Sequence, residues 1–244
     1  MTDVPVTDVP AAREDRRAQL RASLGEVRAR IAAACTAAGR RSEEVTLIAV
    51  TKTFPASDVS LLSELGVTDV GENRDQEAAP KAAQCAALPL TWHFVGQLQA
   101  NKSASVVSYA HVIHSVDRLR LVSVLGRRAR AAGRCVTCLV QVSLDGDPGR
   151  GGALPDVVPA VADAVAGEDG LALGGVMAVS PLTVPATAAF SRLRELAEVV
   201  RSSHPQAVMI SAGMSGDLEQ AIGEGATHVR VGTALLGGRQ AFVR

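Results

Sequence analysis

Only three of the 25 basic residues are lysines: Lys52, Lys81 and Lys102. Lys52 ends the aliphatic run Leu47-Ile48-Ala49-Val50-Thr51. A chain that meets its surface needs with arginine but keeps a lysine at the end of an apolar strand is selecting an amine. Unlike a guanidinium, a desolvated lysine can lose its proton and add to a carbonyl carbon. Lys81 and Lys102 fall in helical stretches and read as surface side chains with solvated heads.

A second group of residues points to an anion. Ser211-Ala212-Gly213-Met214-Ser215-Gly216-Asp217 has the form of a strand, a turn and a helix start, with Ser215 or Asp217 placed to cap. Backbone N–H groups at such a start can bind phosphate. Gly232 and Thr233, in the last strand-like run, can add amides and a hydroxyl, although turn glycines and a capping serine would leave the same trace. Arg230 lies two residues before Gly232 and so shares its face of the strand. Facing inward it is a buried charge that needs a partner; facing outward it pairs with a helix carboxylate, and spacing does not separate the two.

Asn73 and His93 are polar groups near the same strand ends. Asn73 reads either as a helix cap or as a ligand, and His93 either as a histidine satisfied by backbone or as an acid–base group. The other histidines are scattered, and no pair has metal-ligand spacing, so no metal is expected. Cys135 and Cys138 sit in CVTCLVQV, a β-branched strand pattern. Residues i and i+3 of a strand point to opposite faces and cannot share a ligand, so buried structural cysteines are expected.

These residues need a scaffold that gathers strand ends. Strand-like runs recur at 46–51, 67–70, 90–95, 112–116, 136–142, 173–179, 207–210 and 229–235, separated by helix-like segments. Eight strands alternating with helices imply parallel pairing through right-handed crossovers, and eight is the number that closes a barrel. The expected fold is α/β, a single (β/α)8 TIM barrel over residues 19–244, with an open doubly wound sheet as the alternative. An extra N-terminal helix is predicted from about Ala18 to Ala38, ended by Gly39 as a left-handed cap. Residues 1–18 carry the duplicated Thr-Asp-Val-Pro and read as a disordered tail. In such barrels chemistry lies at the C-terminal ends of the strands, and the polar residues above fall there.

Apolar residues make up 47% of the chain and aromatic residues 2%, so the core must be aliphatic. Acidic and basic residues balance at 25 each, without the basic excess of a nucleic-acid binder. Arg127, Arg128 and Arg130 lie on a predicted helix as a solvated face. No apolar run reaches membrane-spanning length and no signal-peptide pattern opens the sequence, so a cytoplasmic location is expected.

Several segments together resemble the YggS/PROSC family of pyridoxal phosphate homeostasis proteins: VTKTFPASDV, GENRDQE, WHFVGQLQANK, HSVDR, GLALGGVMAVSP, SAGMSGDLEQAI and HVRVGTALLGGR. They occur in order over about residues 24–240. The resemblance implies a barrel like the N-terminal domain of alanine racemase, with pyridoxal 5'-phosphate (PLP) held as a Schiff base on Lys52. It further implies that Ser211, Gly232 and Thr233 bind the phosphate, that Arg230 meets the pyridine nitrogen, and that Asn73 lines the ring pocket. It also implies a monomer that passes PLP to PLP-dependent apoenzymes. Arg74, Ala212, Ser143 and Arg150 depart from the family pattern and bear on the rim.

Alanine racemase uses a second base, a tyrosine from an added domain. The one tyrosine here, Tyr109, is predicted away from the strand ends. The expectation is therefore a carrier without catalytic turnover. A PLP-dependent amino-acid racemase is the alternative, and a PLP-independent Schiff-base lyase acting on a phosphosugar is a third reading.

Overall fold

The computed structural model describes residues 9–147 and 150–238. After helix α1 (Val9–Ala37), strands and helices alternate. The order is β1 (Thr46–Val50), α2 (Ala56–Glu64), β2 (Asp69–Glu72), α3 (Asp75–Gln84), β3 (Thr91–Phe94), α4 (Ser103–Tyr109), β4 (Val112–Val116) and α5 (Leu119–Ala131). It continues with β5 (Val136–Gln141), α6 (Val158–Ala166), β6 (Leu171–Met177), α7 (Ala186–Ser203), β7 (Met209–Ser211), α8 (Leu218–Gly223), β8 (His228–Val231) and the short α9 (Thr233–Leu236). The strands close a barrel in sequence order, and both the β8–β1 pairing and the β7–β8 pairing are parallel. The (β/α)8 expectation holds, and the open sheet is excluded.

Strand parity sorts the side chains. Ala49, Val229 and Val231 face outward into an aliphatic layer with Leu20, Leu24, Val27 and Ile31 of α1. Alternate residues face inward, where Val112, Leu139 and Met177 form a small apolar cluster with Met209 packed on it. His93, His114, Ser211 and Arg230 are also buried, on the same inner side, so part of the barrel interior is polar. That interior argues for a function, because buried polar groups destabilise unless each is bonded.

Helix α1 begins well before its expected start. The predicted disorder over residues 1–18 is wrong for 9–18, while residues 1–8 lie outside the described residues. Polar anchors hold this first stretch. Arg13 pairs with Glu64 at 2.5 Å and Arg16 with Asp58 at 2.7 Å, and the Arg16 guanidinium lies 5.7 Å from the centre of the Phe54 ring. Pro10 is tolerated because the first helical turn needs no N–H from it. Gly39, at φ +65, is the left-handed residue expected after the helix.

Two further expectations change. The last strand-like run stops at Val231, because the Leu235 and Leu236 amides hydrogen-bond back to the Gly232 carbonyl and turn the chain into α9. Of the cysteine pair expected to be buried, Cys138 is buried but Cys135 is exposed, just ahead of β5; Cys35 and Cys85 are buried as well. Among the described residues, no helix is long and apolar enough to cross a membrane, and no cluster of His, Cys, Asp or Glu could hold a metal ion.

Candidate functional site

A cavity of about 530 Å³ opens where β1, β2, β3, β6, β7 and β8 end. Lys52, Asn73, Arg230, Gly232 and Thr233 all line it, so the barrel brings together five of the six predicted site residues. The lining holds two cations, Lys52 and Arg230, and no carboxylate among the described residues.

Lys52 sits in the turn that follows β1 and is exposed, with no hydrogen-bond or ion-pair partner for its amine among the described residues. The residues on either side of it are tightly held. Thr51 Oγ1 donates to Glu72 Oε1 at 2.6 Å, and Lys81 Nζ donates both to the Thr51 carbonyl at 2.8 Å and to Glu72 Oε1 at 2.5 Å. On the other side, Thr53 donates its amide to Glu77 at 3.2 Å. Thr53 has φ +68, a left-handed conformation that costs a β-branched residue about 1–2 kcal/mol. The surroundings thus impose a strained backbone to present Lys52. Lys81 is therefore not the surface lysine expected: it is 6% exposed and sits against Glu72, whose pKa burial raises, with Lys81 and Thr51 opposing. Lys102 is partly buried and lies outside the cavity lining.

Asn73 follows β2 directly, and helix α3 starts at Asp75 with Arg74 in the cap position, so Asn73 is not the cap. Its place depends on Gly96. A Cβ on Gly96 would lie 2.1 Å from the Asn73 carbonyl oxygen, so only glycine lets the two rim segments approach.

The segment after β7 departs from expectation. Ser211 is fully buried and does not line the cavity. Its hydroxyl accepts from Arg230 NH1 at 2.6 Å and lies 3.0 Å from His114 Nδ1. The reason is local: Gly213, at φ +88, breaks the strand parity and turns the chain, so Met214, Ser215 and Gly216 reach the wall instead. A Cβ on Gly213 would lie 2.7 Å from Ala221 of α8. Asp217 shapes the same turn by accepting the Met214 amide at 2.6 Å, rather than by capping α8. Ser215 accepts the Ala234 amide at 3.2 Å, tying this turn to α9. Ser215 was visible in the sequence as a capping residue, but its role as cavity wall follows only from the Gly213 turn.

Arg230 is inward-facing. Besides Ser211, it donates NH2 to the Ala178 carbonyl at 2.8 Å, and no carboxylate pairs with it among the described residues. Burial lowers its pKa to about 10, with Asp217 pulling the other way, so it remains a cation at neutral pH. A buried cation hydrogen-bonded only to neutral groups leaves a positive potential at the cavity wall. His93 is buried and bonded to side chains, Asp69 and His114, rather than to backbone. Tyr109 packs edge-on against Trp92 and does not line the cavity.

Residues 23–240 match the family model of the alanine racemase N-terminal domain. The chain is 44% identical over 245 residues to a protein of Mycobacterium tuberculosis named pyridoxal phosphate homeostasis protein, covering 93% of this chain and 95% of that one. It is 35% identical over 223 residues to the Escherichia coli protein of the same name, covering 89% and 95%. Among solved structures, PipY of Synechococcus elongatus with PLP bound superposes with a TM-score of 0.79 at 34% identity, covering 90% of this chain and 100% of that one. Alanine racemase of Clostridium difficile shares the fold at a TM-score of 0.70 and 13% identity, covering 92% of this chain and 58% of that one.

Proposed function

Because the chain belongs to the alanine racemase N-terminal domain family, and within it to the pyridoxal phosphate homeostasis proteins, we propose that it holds PLP in the rim cavity, covalently on Lys52, and stores and delivers the cofactor rather than turning over a substrate. The observation that carries this reading is the pairing of a lysine amine, unpartnered among the described residues, with a buried guanidinium in a cavity that no described carboxylate lines. Such a wall selects an anionic ligand, and its volume suits a small cofactor.

The residues present fit PLP. When bound, PLP supplies an aldehyde carbon that a neutral lysine amine can bond, together with a phosphate and a pyridine nitrogen. Lys52 offers that amine from a turn fixed on both sides by Glu72 and Glu77. The turns that carry Ser215, Gly216, Gly232 and Thr233 offer hydroxyls and amides for the phosphate. Ser211 does not join them; it serves by holding Arg230. Asn73 stands on the wall where it can border the ring.

Arg230 would set the electronics of the bound ring. A guanidinium donates hydrogen bonds but keeps its proton, so a ring nitrogen facing it is left unprotonated and the electron pull that drives turnover is weak. A cavity that opens at the barrel rim also suits release to PLP-dependent apoenzymes in the cytoplasm.

The test is the visible absorption spectrum of the purified protein beside Lys52→Ala, before and after borohydride. The expected result is a yellow wild type, bleached by reduction, with the cofactor fixed to Lys52 in a peptide digest, and no racemisation of free amino acids. A protein that stays colourless with added PLP overturns the reading and favours a cofactor-independent lyase. Useful racemisation overturns the carrier part alone.

A further inference from the structure

Four hydrogen bonds run through the barrel interior from the cavity wall to Asp69, the first residue of β2. Arg230 NH1 donates to Ser211 Oγ at 2.6 Å. Ser211 Oγ lies 3.0 Å from His114 Nδ1, His114 Nε2 lies 2.9 Å from His93 Nδ1, and His93 Nε2 lies 2.8 Å from Asp69 Oδ1. The chain crosses β8, β7, β4, β3 and β2, and all of its members except Asp69 are buried. His228, the third histidine of this interior, is bonded aside to Thr227 and is not a link.

Donor and acceptor chemistry gives the chain one direction. Arginine only donates, so Ser211 accepts from Arg230, and its single proton points to His114 Nδ1. His114, neutral in its burial, then carries its proton on Nε2 and donates to His93 Nδ1. His93 in turn carries its proton on Nε2 and donates to the Asp69 carboxylate. The reverse order would set the Nε2 of a neutral His93 ring, an acceptor, against a carboxylate that can only accept. The carboxylate thus fixes both tautomers and, through them, the direction of the Ser211 hydroxyl. Burial works against the Asp69 carboxylate, but hydrogen bonds from His93 and Thr68 outweigh it and keep its pKa below the usual value.

We propose that His114 and His93 are positioning residues for Arg230: they orient its guanidinium at the cavity wall through Ser211 while keeping the balancing carboxylate of Asp69 at a distance. A direct Arg230–carboxylate pair would orient the guanidinium as well, but would cancel the positive potential that the cavity presents. The relay gives orientation without neutralisation. This rests on the reading of Arg230 as the group facing the pyridine nitrogen of PLP.

The experiment compares wild type, His114→Leu, His114→Gln and Asp69→Asn by PLP titration, the position of the bound visible band, and thermal melting. Glutamine can accept from Ser211 and donate to His93, so it restores the link that leucine removes. Expected are a loss of affinity of about tenfold and a displaced band for His114→Leu, with both returning towards wild type in His114→Gln. Asp69→Asn, nearly isosteric and lining no part of the cavity, displaces the band in the same direction as leucine. If His114→Leu does not fold, Asp69→Asn alone decides. Folded variants with wild-type affinity and an unmoved band overturn the relay while leaving PLP binding intact. A wild type that takes up no PLP overturns the underlying reading, and the relay with it.

Discussion

Lys81 Nζ and Glu72 Oε1 lie 2.5 Å apart, both side chains almost wholly withdrawn from solvent. The pair sits behind the turn that carries Lys52, because Lys81 also donates to the Thr51 carbonyl. Glu72 Oε2 has no hydrogen-bond partner among the described residues, so the carboxylate depends on the Thr51 hydroxyl and, for its charge, on Lys81.

Removing one partner should therefore cost more than removing both. Lys81→Met is expected to destabilise the protein by about 3–5 kcal/mol, since it strands a buried carboxylate. Glu72→Gln combined with Lys81→Met should recover a substantial part of that loss. Urea unfolding of the single and double variants checks this, and simple additivity would mean the two groups are not coupled.

Thr53 offers a gain instead. Replacing it with glycine removes the left-handed penalty at φ +68 and should raise the unfolding free energy by about 1 kcal/mol. The same change loosens the Lys52 turn, so PLP should be bound less tightly while the fold becomes more stable. Opposite movements of melting temperature and affinity are the expected signature; a joint fall would contradict the strain argument.

Gly96→Ala should be among the most damaging small changes at the rim. Its Cβ would meet the Asn73 backbone at 2.1 Å, and a backbone atom cannot swing aside as a side-chain tip can. A loss of about 3 kcal/mol or more, with PLP affinity falling through the displaced Asn73, is expected. Thermal melting and PLP titration read the two effects separately.

The interior histidines make stability depend on pH. His228 is lowered from 6.5 to about 4, by burial first and then by repulsion from His93, with Asp69 opposing. His114 is also lowered well below 6.5, by burial first and then by His93 and Arg230. Both rings are neutral in the fold, so below 6.5 the unfolded chain binds protons that the folded one does not. Their stabilisation is complete above about 6.5 and is lost as pH falls towards 4, each ring giving up about 1.4 kcal/mol for every pH unit crossed. Glu72, raised above 4.5 by burial, acts in the opposite sense and is favoured at the acid end. Urea midpoints measured from neutral pH to about 4 should fall for wild type and fall less for His228→Asn; a flat wild-type profile would exclude this linkage.

The barrel was legible because eight aliphatic runs alternate with helical periods, and strand parity gave Arg230 and Gly232 a common face. Lys52 stood out because an amine is conspicuous in an arginine-rich chain. Lys81 did not, since its burial depends on which face of α3 meets Glu72, a tertiary matter. Ser211, in β7, lies behind the cavity wall and bonds Arg230, while the Gly213 turn that brings Ser215 to the lining depends on packing against α8. His114 passed unnoticed because one histidine in Val-Ile-His-Ser-Val has meaning only once β3, β7 and β8 are brought round it. Arg13 and Arg16 look like tail residues until Glu64 and Asp58 of α2 come within reach.

Of the neighbouring strands in the ring, β8 and β1 alone have no βα crossover between them, and α1 lies across that seam. Arg16 spans it, bonded to Asp58 of α2 on one side and to the Leu236 carbonyl of α9 on the other. The helix acts as a latch, so the seam is no easier to prise open than the joints that have a covalent crossover. In hydrogen-exchange terms, the amides of β1 and β8 should be as slow as those of β5 and β6, and releasing the latch should quicken them first. Since α9 also carries Thr233 at the cavity, the same release would be felt where the cofactor enters and leaves.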